Sequence, residues 1–307
     1  MSEEPETPPE PVVEPPMPRK KVGPYLALVI TTAVVSLAYR LLVATHYEQT
    51  ALMFIGLPTL LAVLLAYLPA SKTATGMIMR GITLFLLLLG ILFIEGFICI
   101  VMAAPLFYAI GFIIGIFVDR SRVQRDMNRF RVVILPVLLL MSLEGVTGWL
   151  SFPRDEVVVV EQWTSMKPEE AWEELSVGPD FDLSRLPLFL RMGFPMPREI
   201  DGTGLEVGDN WRIHFAGGEG KPGDLTAEVV VSGEGRARVV KQDDTSHIAH
   251  WLDWQEAEWE LIPERGGTRV RLTMRYERLL DPAWYFKPIE RYGVRKAGEY
   301  FLQETYQ

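Results

Sequence analysis

A chain of 307 residues, 49% of them hydrophobic and with a net charge of -9, has room for about two domains. The charge is unevenly spread: from Arg154 onward 19 Lys and Arg stand against 29 Asp and Glu, which leaves 11 against 10 upstream. An acidic C-terminal half argues against nucleic acid as its partner, and the lone cysteine, Cys99, excludes an intramolecular disulfide.

The first 22 residues are a Pro/Glu tail (EEPETPPEPVVEPPMPRKK) with almost nothing to bury, expected to lack a fold of its own. Its basic residues follow a long acidic leader, which is not the layout of a signal peptide. Apolar runs then cover Tyr25 to Val43, Ala51 to Leu68, Gly81 to about Ala104, Pro105 to Val118 and Val132 to Leu150. Most approach the ~20 residues that cross a hydrocarbon core. Pro105 is a natural point at which to turn the chain, which gives about five crossings over residues 23–151, with four as the alternative.

Charge placement favours five. Arg19, Lys20 and Lys21 precede the first run, Lys72 and Arg80 lie between the second and third, and Arg120, Arg122, Arg125, Arg129 and Arg131 precede the last. About five crossings bring all of these to one side, as the positive-inside rule requires. The expected placement is a multi-pass protein of the inner (cytoplasmic) membrane, its tail cytoplasmic and its C-terminal domain outside. Arg40, Glu95 and Glu144 interrupt the apolar runs, the two glutamates at similar depth and Arg40 a little farther out. A charged cluster there would serve either as a polar clamp between helices or as a proton or headgroup pathway.

After Phe152-Pro153-Arg154 the pattern becomes that of strands. EVVVVEQWT (Glu156 to Thr164) is a strand, and Lys167-Pro168-Glu169-Glu170 opens a short helix. Helix is expected again around Asp182 to Met192. Strands follow near Arg198–Asp201, Asn210–Ala216, Leu225–Ser232, Arg236–Gln242 and His247–Leu261, punctuated by glycines. Glu264-Arg265-Gly266-Gly267 reads as a hairpin turn. In the strand beyond it Val270, Leu272, Met274 and Tyr276 alternate with Arg269, Arg271, Thr273 and Arg275. Asp281 reads as an N-cap and Pro282 as the first residue of a closing helix.

The segments VVVEQWTSMKPEEAWEEL, WQEAEWELIPERGGTRVRLTMRYE and DPAWYFKPIERYGVRKAGEYFL, in that order, resemble the START-like (SRPBCC, polyketide cyclase/dehydrase-like) superfamily over 155–307. The expected architecture is therefore an all-α transmembrane bundle followed by an α+β helix-grip domain. The resemblance implies an apolar cavity between a curved sheet and the last helix. Trp259, Leu261, Val270, Leu272, Met274 and Tyr276 would line it from the sheet, and Ile289, Gly293 and Ala297 from the helix.

The implied partners are membrane lipid and a hydrophobic small molecule, lipid or isoprenoid-like, bound at the outer face of the membrane. Two alternatives are a cyclase- or hydrolase-type enzyme and a non-catalytic domain docking on another membrane protein. No HExxH, GxSxG, P-loop or CxxC string is present, so no catalytic residue and no cofactor is assigned. His247 and His250, read on a strand, would point to opposite faces and form no metal site.

Overall fold

The computed structural model describes residues 30–31, 34–35, 37–38, 41–42, 51–66, 73–92, 97–124, 135–202, 204–216, 222–233 and 235–306. The tail, Arg40, Glu95 and most of the Arg-rich loop lie outside them.

Leucine-rich α1 (Leu57–Ala66) follows a π-helical turn, Leu52–Gly56. It packs against α2 (Ala74–Leu92) and α3 (Phe97–Gln124), and α4 (Leu135–Met141) adds one short helix. α2 and α3 run antiparallel, because Gly111 meets Ile82 while Gly115 meets Thr75. A Cβ on Gly111 would come 2.2 Å from Ile82 Cδ1 and one on Gly115 2.7 Å from the Thr75 backbone, so the small residues set the close approach. At one end Asp119 caps α2 by accepting from the Ala74 and Thr75 amides at 2.6 and 3.0 Å.

Two boundaries differ from expectation. α3 continues through Pro105, so the chain does not turn there. A single proline leaves one carbonyl unpaired, and the packing of α3 on α2 outweighs that loss. The run ending at Leu150 is helical only as far as Met141 and then breaks into turns at Ser142–Val146, where Gly145 takes a φ of 83°. Gly145 is thus a turn residue and packs no helix. Among the described residues one helix, Ile98–Ser121, is long and apolar enough to cross a membrane, and Ala74–Leu86 is a shorter apolar helix. A bundle of about five crossings is not what these residues display.

The C-terminal domain is a seven-stranded antiparallel sheet in the order β1-β7-β6-β5-β4-β3-β2. Its strands are β1 (Asp155–Thr164), β2 (Met196–Asp201), β3 (Asn210–Ala216), β4 (Gly223–Gly233), β5 (Arg236–Asp244), β6 (Leu252–Glu264) and β7 (Gly267–Arg278). α5 (Pro168–Val177) begins the connection from β1 to the far edge, and α6 (Ala283–Thr305) closes the fold. This is the helix-grip arrangement.

β7 alternates buried and wetter positions along its length, as its sequence requires. Its wet face is laced by ion pairs, Arg275 to Glu256 at 2.8 Å and Arg271 to Glu161 at 2.7 Å. Residues 182–192 form turns and a short 3-10 helix, Leu190–Met192, instead of the expected α-helix; Pro187 removes a mid-segment amide donor. His247–His250 is likewise a 3-10 turn before β6, with the two imidazoles 5.0 Å apart rather than on opposite faces.

Candidate functional site: a cavity under the closing helix

At Gly298 α6 approaches the sheet closely. A Cβ there would come 2.4 Å from Met274 Cε and 3.0 Å from Val160 Cγ2, so glycine permits the contact. Beside that contact, under the curve of β3 to β7, lies a cavity of about 220 Å³. Trp211, Ile213 and Phe215 line it from β3, Trp254, Ala257 and Trp259 from β6, and Leu272 and Met274 from β7. Ile289, Gly293, Val294, Ala297 and Gly298 of α6 form its roof.

The segment between α5 and β2 supplies Phe181, Leu186, Phe189 and Phe194, and Met102 of α3 closes one side. Phe189 packs on Phe194 at 5.0 Å and on Tyr292 at 5.1 Å, which ties this segment over α6. A Cβ on Gly293 would come 3.2 Å from the Phe189 ring.

Of the nine residues expected to line a cavity, Trp259, Leu272, Met274, Ile289, Gly293 and Ala297 do so. Leu261 and Val270 do not; they are buried in the cluster that holds Ala171 and Leu175 of α5. Tyr276 is also outside the lining, with its ring 5.9 Å from Trp254 and its buried hydroxyl unpaired among the described residues.

Glu290 of α6 borders the cavity, but both of its carboxyl oxygens are buried away from the space. It is 6% exposed, and neither oxygen makes a hydrogen bond among the described residues. Burial raises its pKa to about 8, against the partial opposition of Arg278 and of the Leu280 amide, which lies near without reaching hydrogen-bond geometry. The group therefore carries a proton at neutral pH. The sequence signal was available: Phe286, Glu290, Val294, Gly298 and Leu302 recur at helical spacing and all are buried, so Glu290 is the one charged residue in an apolar stripe.

Around the cavity's end the domain is fastened to the helical part. Ile98 and Leu106 of α3 join Trp251, Leu280 and Phe286 in one buried cluster. The Tyr285 hydroxyl donates to the Met102 carbonyl at 2.8 Å, and the Ala283 amide donates to the Glu144 carboxylate at 2.8 Å. Glu144 thus caps α6 from outside the domain; no contact to Arg40 or Glu95, both outside the described residues, is in view.

Asp281 does not cap α6 as its position led one to expect. Its carboxylate is fully buried between Arg278 at 2.6 Å and Arg154 at 2.5 Å. Among the described residues no group of His, Cys, Asp and Glu is arranged to hold a metal ion.

No family model and no curated protein matches the chain. Among solved structures it is similar to TTHA0849 from Thermus thermophilus, at 19% identity over 49% of this chain and 97% of that one, with a TM-score of 0.33. It is similar to protein MLL2253 from Mesorhizobium loti at 21% identity, 50% and 95% coverage and a TM-score of 0.31. Norcoclaurine synthase from Thalictrum flavum is 15% identical over 48% of this chain and 85% of its own, with a TM-score of 0.33. The fold assignment rests on the strand order and closing helix given above, and these likenesses say nothing of activity.

Proposed function

We propose that this chain is a membrane-anchored START-like protein whose helix-grip domain takes up a hydrophobic small molecule, lipid or isoprenoid-like, at the outer face of the inner membrane. The observation that carries the reading is the cavity, about 220 Å³, lined almost wholly by apolar and aromatic side chains and walled in part by Met102 of a helix apolar enough to cross a membrane. A ligand leaving the bilayer beside α3 would meet that wall first.

The ends of α3 support the orientation. Met102 and Arg120 are separated by a rise of about 27 Å along the helix, near the ~30 Å of a hydrocarbon core. Arg120 and Arg80 belong to the end capped by Asp119, and the domain docks at the other, so the positive-inside rule favours a domain outside. Trp149, Phe152 and Trp284 are each more than half exposed near that junction and suit a lipid interface.

The cyclase- or hydrolase-type alternative has one observation in its favour, the protonated Glu290. Among the described residues that line the cavity Glu290 is the one acidic residue, which favours recognition over turnover.

Mass spectrometry of a solvent extract of the full chain, purified from membranes, tests the reading. A stoichiometric apolar molecule is expected, and a chain that repeatedly extracts empty would count against it. A reporter fused after residue 307 should be active only outside the cytoplasm.

A further inference from the structure

The cavity has two ends, and they differ in what lies outside them. At one end Phe181 packs on Tyr300 and Phe301, near the close of α6. At the other, Phe194 and Met102 line the space and pack on the cluster that holds Trp251 and Phe286. The rise along α6 from Phe286 to Phe301 is about 22 Å, so the ends are well separated.

The Met102 end meets the helical part within its apolar span. Among the described residues Ile98–Ser121 is the helix apolar enough to cross a membrane, and Met102 lies about 6 Å along it from Ile98. The Tyr285 hydroxyl, donating to the Met102 carbonyl at 2.8 Å, fixes α3 at this rim.

The two ends are also held differently. The Asp182 amide, next to Phe181, donates to the Glu304 carboxylate at 3.0 Å, and the Tyr300 hydroxyl donates to the Asp182 carbonyl at 3.0 Å. Those bonds pin the Phe181 end. Phe194 has no backbone hydrogen bond among the described residues, and its ring rests on Phe189 at 5.0 Å and on Trp251 at 5.2 Å. Gly193, just before it, has a φ of 116°, a conformation that glycine adopts freely and other residues rarely do. The chain can therefore pivot between the 3-10 turn Leu190–Met192 and Phe194. Met102, unbranched and with three rotatable side-chain bonds, adapts more readily than a branched or aromatic residue would. All three side chains at this rim, Met102, Phe194 and Tyr285, are half-buried.

From these placements we infer that the cavity opens sideways into the bilayer through a portal between Met102 and Phe194, by which an apolar ligand enters without crossing water. The inference rests on the hydrophobic-ligand reading above and adds to it the route and the two side chains that gate it.

The test uses the full chain in phospholipid nanodiscs, with Cys99→Ala to remove the native thiol and Ala257→Cys to place one on the cavity wall. N-(1-pyrenyl)maleimide dissolved in the disc bilayer is the probe, and the rate of adduct formation is read by mass spectrometry. Added to this parent, Met102→Trp should slow labelling about tenfold and Phe194→Ala should speed it about tenfold. Phe181→Trp, at the pinned end, should leave the rate within about twofold. A general loosening of the fold would speed labelling in every variant, so opposite signs for Met102→Trp and Phe194→Ala report the portal itself.

Equal rates in all the variants, faster labelling in both Met102→Trp and Phe194→Ala, or slowing by Phe181→Trp in place of Met102→Trp overturns the portal and leaves the hydrophobic reading standing. No adduct in the folded parent, with full reaction after denaturation, overturns that reading and the portal with it.

Discussion

Asp281 and Glu290 are both buried acids of the closing segment, and their surroundings differ: Asp281 is paired with two guanidiniums and Glu290 makes no hydrogen bond among the described residues. Asp281 lies between two guanidiniums, one of them on fully buried Arg278. Removing its charge would strand both cations, so Asp281→Asn should destabilise the domain by about 3–5 kcal/mol in denaturant unfolding followed by tryptophan fluorescence. An unchanged midpoint would mean that the triad contributes nothing to stability.

Glu290 has no such partner, and its folded pKa, about 8, lies above the ordinary value of 4.5. Between those two values the unfolded chain has released the proton that the folded chain keeps, so stability falls as pH rises through that window. Arg278 opposes the shift, while Asp281 and Glu156 reinforce it. The loss should be on the order of a few kcal/mol between pH 5 and 8. Melting curves of Glu290→Gln should be flatter over the same range, and identical slopes would assign the pH dependence elsewhere.

At the scale of elements, the far edge of the sheet has its own pH-sensitive clamp. His214 of β3 bonds Asp201 of β2 at 2.8 Å and Asp224 of β4 at 2.7 Å, and these two carboxylates raise its pKa. A raised histidine stabilises fully below its unfolded value near 6.5, and the contribution disappears as pH rises through the folded value. Amide exchange in β2 should therefore speed up above that value more than the chemical exchange rate alone predicts. His214→Gln should remove the excess.

At the other edge, the contact of α6 with β1 and β7 depends on Gly298. Gly298→Ala should cost about 1–3 kcal/mol by overpacking, and Met274→Ala in the same chain should recover part of it because Met274 Cε is the nearest atom.

These elements were not equally legible. β7 announces itself by strict alternation, and the hairpin before it by Arg265-Gly266, because one buried face and one tight turn leave local marks in sequence. Residues 182–192 carry apolar residues at helical spacing yet fold as turns; Pro187 is the local mark against a helix, while the packing of Phe189 on Tyr292 of α6 leaves none. His247–His250 departs from a strand through packing of that kind. Trp251, the residue that ends that turn, is held by Phe194, which is remote in sequence but 5.2 Å away in space. Glu290 was legible in principle, as a charge in a buried stripe, and Met102 was not, because it belongs to another part of the chain.

At the scale of the whole molecule, the two halves share a core. Ile98 and Leu106 of α3 complete a cluster with Trp251, Leu280 and Phe286, Met102 walls the cavity, and Glu144 supplies the cap that α6 lacks in its own segment. A domain cut free at residue 151 keeps its sheet, whose seven strands all lie beyond that point, but uncovers this apolar cluster and leaves the Ala283 amide without its partner. Residues 151–307 expressed alone should retain the circular dichroism of an antiparallel sheet. They should also bind an apolar surface dye that the full chain excludes, and melt at a lower temperature than the same domain does in the full chain. Equal melting temperatures and no dye binding would mean that the junction is a tether only, and that the cavity owes nothing to the helix beside it.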